Sequence, residues 1–127
     1  MELPPVFEEV CRRNGWLWCG DHCEIKLEDG RRQKVYIEPF EYGTEKMVRI
    51  VSVVGNVDRI RGERLLSALR INYGLPHGAL AIRGDDLVLT DTFLLRDADP
   101  DEVESAIRFI AETADYYEQS IYGIDEH

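Results

Sequence analysis

ERLLSALRINYGLPHGALAIRGDDLVLTDTFLLRDADPDEVESAIRFIAETADYYEQSIY, residues 63–122, is the most informative part of the chain. It opens on a leucine-rich helix, with Leu65, Leu66, Leu69 and Tyr73 on its apolar side. Gly74 and Pro76 stop that helix, because neither residue continues a helical backbone well. Two strands follow, 79–83 and 87–95, joined by the hairpin turn Gly84-Asp85-Asp86. Asp99 then caps a second helix whose first residue is Pro100, with Asp101 and Glu102 at the positive helix end. Val103, Ile107, Ile110, Ala114, Tyr117 and Ile121 make its apolar stripe, and Gly123 ends it.

Working outward, Asp58 reads as the cap of the leucine-rich helix, over 59–72. Before it lie three strands. Residues 23–28 alternate, with Ile25 and Leu27 on one face. Asp29-Gly30 turns the chain into 33–40, where Val35 and Ile37 point inward and Pro39 marks a strand end or an edge. Residues 47–54 are apolar on both faces apart from Arg49 and Ser52, the pattern of a central strand. Residues 4–14 form the first helix, with Leu3, Phe7, Val10 and Cys11 near one stripe and Gly15 at its end. The order α-β-β-β-α-β-β-α gives an α+β domain, an antiparallel sheet with helices packed against it. Residues 1–123 are expected to form one domain, with 124–127 as a frayed tail.

With 127 residues, 44% hydrophobic and 31% charged, the chain can bury a core without disulfides or metal. No apolar run approaches the ~20 residues of a membrane span. The start, MELPPVFEEV, lacks the basic and apolar pattern of a signal peptide, so the expected location is the cytoplasm. The net charge is −10, of which residues 97–127 carry −9. An acidic chain of this kind lacks the basic footprint that nucleic acid requires.

The residues LLSALRINYGLPHGALAIRGDDLVLTDTFLL, then DADPDEVESAIRFIAETADYYE, resemble the type III secretion chaperone-like fold and, within it, the YbjN family. The carrying positions are Asn72, Leu75-Pro76-His77-Gly78, Asp99-Pro100-Asp101-Glu102 and Ala114-Asp115-Tyr116-Tyr117-Glu118. His77 stands where an aromatic is common, and residues 16–23 have no counterpart in the pattern. The resemblance implies a small, non-enzymatic, cytoplasmic bacterial protein, often dimeric, that binds other polypeptides. Secretion chaperones of this fold hold effector segments extended along apolar patches; members similar to YbjN are regulators or adaptors.

The residues offer little chemistry beside this. Cys19, His22 and Cys23, with Cys11, could supply soft ligands to zinc or a reactive thiol, but the spacing is not that of a zinc knuckle. Asp85, Asp86 and Asp91 suggest a divalent cation, but a hairpin turn explains the first two without one. No cofactor, metal or catalytic residue is expected. Trp16, Trp18, Tyr36, Phe40 and Tyr42 are the candidate partner-binding residues, since aromatic strand residues anchor interfaces. Arg61, Arg64, Leu65 and Ala68, on a helix of net charge +2, are the candidate homodimer contacts. Two alternatives stand beside the adaptor: a thiol- or zinc-dependent sensor or enzyme at Cys19–Cys23, and a regulatory subunit gripping a basic partner through the acidic last helix. The expected partners are an unidentified protein and a second copy, with neither nucleic acid nor membrane.

Overall fold

The architecture comes from a computed structural model that describes residues 3–28, 30–60 and 62–123. Asp29, Arg61 and the expected tail 124–127 lie outside the described residues. Helix α1 (Pro5–Arg13) is followed by strands β1 (Leu17–Trp18), β2 (His22–Lys26), β3 (Arg32–Tyr42) and β4 (Glu45–Asn56). Helix α2 (Gly62–Gly74), strands β5 (Ala79–Arg83) and β6 (Asp86–Leu94) and helix α3 (Pro100–Tyr117) complete the order. All pairings are antiparallel, in the order β1-β2-β3-β4-β6-β5. The chain is thus an α+β domain, and β4 is central, as its two apolar faces require.

The two faces of the sheet have different fates. The register puts Cys23, Val35, Ile37, Val48, Ile50 and Leu89 on one face. These residues are buried in one cluster with Phe7, Val10 and Cys11 of α1 and Val103, Ile107, Ile110 and Ala114 of α3. Each valine, leucine, isoleucine or phenylalanine among them contributes roughly 1.5–3 kcal/mol on leaving water. Two polar residues on this face are fully satisfied: Gln33 Nε2 donates to Ser52 Oγ (2.8 Å), and Ser52 Oγ donates to the Lys34 carbonyl (2.6 Å). That pair explains a serine in the most buried strand.

Pro39 sits inside β3, opposite Val48, and not at its end. The strand tolerates it because β2 stops at Tyr36 in the register. Ile37 N–H still reaches the Asp21 carbonyl on that side (2.9 Å), but two residues on there is no strand to receive a donor. The edge reading of the proline is therefore right locally, in a strand that is internal elsewhere.

The start of α2 differs from expectation. Asn56, not Asp58, is the cap: its side chain accepts the Asp58 N–H (2.8 Å) and opens a short 3-10 turn, Val57–Arg59. The α-helix begins only at Gly62. At the other end, Asn72 bonds the outer edge of β5 twice, donating to the Leu80 carbonyl (2.9 Å) and accepting the Leu80 N–H (2.6 Å). Asp99 caps α3 as expected, accepting the Glu102 N–H at 3.0 Å. The helix then widens into a π turn, Glu118–Gly123. This turn carries Tyr122 over Gly55, where a Cβ would lie 2.3 Å from the ring, and the Tyr122 hydroxyl donates to the Asn56 carbonyl (2.8 Å). A β-bulge in β4 between Val53 and Gly55 shapes the receiving site.

Candidate functional site

The other face of the sheet carries no helix from the core cluster. By register it presents Tyr36 and Phe40 of β3, Met47, Arg49, Val51 and Val53 of β4, and Val88 and Thr90 of β6. None of these belongs to the core cluster or packs against it. Val51 and Val88 are nevertheless only 1% and 3% exposed. Arg83 of β5 forms an ion pair with Glu38 of β3, three strands away, so the sheet curls towards this face. The imidazole of His22 stacks on Tyr36 (4.9 Å between centroids), and the Arg49 guanidinium lies 4.1 Å from the centre of the Phe40 ring.

The five aromatic candidates therefore divide. Tyr36, Phe40 and Tyr42 share the open face, and Tyr42 is exposed at its rim. Trp16 and Trp18 are on the opposite side. Trp16 is 9% exposed, within the core, with the Arg108 guanidinium over its ring at 5.2 Å. Trp18 pairs with Cys23 and faces the helices. Strand spacing correctly puts the two tryptophans together, but the side they share is already filled.

A second apolar surface lies on α2. Only Ala68 of this helix is buried; Leu66, Leu69 and Tyr73 are 56%, 66% and 95% exposed. The leucine stripe thus does not cover the sheet as a whole. Leu65 and Ala68 hold the helix to the β5 end, and Arg64 donates to the Ile121 carbonyl at 2.6 Å. A groove of about 270 Å³ runs between Leu65, Leu66 and Leu69 of α2 and Leu80, Ile82 and Leu87 of the sheet. Of the candidate dimer contacts, Leu65, Ala68 and Arg64 serve the chain itself, and Arg61 lies outside the described residues. The outward residues Leu66, Leu69 and Tyr73 were legible as apolar but not as exposed.

The thiols are arranged differently from a Cys19–Cys23 centre. Cys11 and Cys23 are both buried, while Cys19 is exposed. The neighbouring Cys11 thiol and burial push the Cys23 thiol well above its ordinary range. His22 and Cys23 point to opposite faces, so the histidine is not placed as a base for that sulfur. Among the described residues, no group of three His, Cys, Asp or Glu side chains could hold a metal ion. An open cleft of about 510 Å³ at the start of α3, lined by His77, Asp91, Phe93, Asp101 and Glu102, includes no such group. Several acids of α3 are already matched: Asp115 takes two bonds from Arg31 (2.9 and 2.6 Å), and Glu104 accepts from Arg13 (3.0 Å) and Asn14 (2.6 Å). Among the described residues, no helix is long and apolar enough to cross a membrane.

No family model matches the chain, and no curated protein matches it. Solved structures do. In the ExsC–ExsE complex the matching chain aligns over 95% of this chain and 97% of its own length, with a TM-score of 0.66 and 9% identity. In the HopA1–SchA chaperone–effector complex the coverage is 90% and 91%, the TM-score 0.59 and the identity 8%. The Yersinia pestis type III secretion chaperone SycH, solved with a stable fragment of YscM2, gives 86% and 93%, a TM-score of 0.51 and 14% identity. At these identities the likeness is one of fold. The α+β chain, with its antiparallel sheet and three helices, has the fold of type III secretion chaperones.

Proposed function

We propose that this chain is a non-enzymatic, chaperone-like adaptor that holds a segment of another polypeptide on the open face of its sheet. The observation that carries the reading is the half-buried set Tyr36, Phe40, Met47 and Val53, which surrounds the buried Val51 and Val88 on a sheet face outside the core cluster. A face of this kind marks an interaction surface. The fold-level likeness to chains solved in complex with other proteins supports it. Cytoplasmic location is part of the same proposal. Affinity purification with mass spectrometry, comparing the native chain with a Tyr36→Ser, Phe40→Ser variant, tests it. Partners retained by the native chain and lost by the folded variant support the reading; partners retained equally by both refute it.

A homodimer is proposed through α2. The exposed residues Leu66, Leu69 and Tyr73 beside the apolar groove favour it, in place of the inward-facing Leu65 and Ala68.

A further inference from the structure

Arg49 lies within the open face, between Glu38 of β3 and Thr92 of β6. Its guanidinium rests on the Phe40 ring and, among the described residues, makes neither a hydrogen bond nor an ion pair. The carboxylate directly across from it, that of Glu38, is held by Arg83. Arg32 and Lys34 on the same face share Glu24. Arg49 is thus a half-buried cation that rests on the Phe40 ring, with Glu38, already paired to Arg83, and Thr92 as its cross-strand neighbours.

We infer that Arg49 selects the polypeptide bound on this face: the segment is apolar and places one Asp or Glu carboxylate against the Arg49 guanidinium. The inference rests on the proposal that this face binds a polypeptide, and it specifies the chemistry of that polypeptide. Covering the face strips water from the guanidinium. A charge buried without a counter-ion is strongly unfavourable, so a segment lacking an acceptor there is rejected. A carboxylate matches the planar fork of the guanidinium and can take two N–H bonds at once. The acidity of the chain does not oppose this. Residues 97–127 carry −9 of the −10 charge, and α3, which holds five of their ten acids, lies across the opposite face. The Phe40 ring fixes the guanidinium before binding, which limits the ordering cost.

The test is selection from a phage-displayed library of random peptides of about ten residues, long enough in extended form to cross the sheet. The native chain, Arg49→Met and Arg49→Lys are immobilised after circular dichroism shows that all three are folded. The inference expects apolar peptides with an enriched Asp or Glu from the native chain, and loss of that acidic position with Arg49→Met. It also expects a selected peptide to weaken roughly ten-fold on Glu→Gln with the native chain, less with Arg49→Lys, and not at all with Arg49→Met. Apolar peptides without an acidic position, or an acidic preference that survives Arg49→Met, overturn the role of Arg49 alone. Failure to enrich any peptide over the bare support overturns the polypeptide-binding reading beneath it.

Discussion

Gly55 is a residue whose importance lies in what it lacks. The Tyr122 ring occupies the space where any Cβ would stand. Gly55→Ala is expected to lower the unfolding free energy by about 1–3 kcal/mol, the range for overpacking a tight contact. Urea denaturation checks this, and in a Tyr122→Ala background the penalty should shrink, since the clash has gone. Asn72 is a second such residue. Asn72→Ala removes both bonds to Leu80 and leaves an edge N–H and carbonyl without their side-chain partner. A loss of about 1–2 kcal/mol is expected by the same measurement. Glu104 supplies a pH signature. Its bonds from Asn14 and then Arg13 hold its carboxyl below the ordinary carboxylate range. A carboxylate with a depressed folded-state pKa stabilises fully above its unfolded value and loses that contribution as pH falls through the folded one. The native chain should therefore exceed Glu104→Gln in urea midpoint at neutral pH. The two should converge as pH drops below about 4. A difference independent of pH contradicts the bonding described.

Among the elements, α2 separates what a sequence tells from what it withholds. Its leucines announce a helix, and Asn72, Gly74 and Pro76 announce its end, because these are local properties of side chains and backbone. Which leucines lie inside is a tertiary property, and the helix sits at the β5 end, seated by the buried Ala68 and half-buried Leu65. A double change, Leu66→Ser with Leu69→Ser, should accordingly alter the stability of the single chain by no more than about 0.5 kcal/mol. Light scattering should give the mass of two chains for the native protein and of one for the variant. A native chain that is monomeric at all concentrations contradicts the proposed α2 contact. The strands divide in the same way. Alternation in β2 and β3 revealed the core face, and the doubly apolar β4 revealed a central position. What β4 could not reveal is that its second apolar face has no helix over it. The tryptophans misled for a related reason: spacing puts them together without saying which side the helices take.

For the whole molecule, the curled sheet is a two-sided object. Helices α1 and α3 belong to one side. The aromatic and β-branched side chains of β3, β4 and β6 belong to the other, with Arg49 among them. The core cluster lies on the first side, and the proposed function uses the second. Site-specific photo-crosslinking in cells tests this division most directly. A photoreactive phenylalanine analogue is placed at Tyr36 or Phe40 on the open face, and at Arg12, an exposed residue of α1, as a control. The two-sided division predicts adducts to another polypeptide from positions 36 and 40 and none from position 12. Adducts from position 12 with none from 36 and 40 would contradict it.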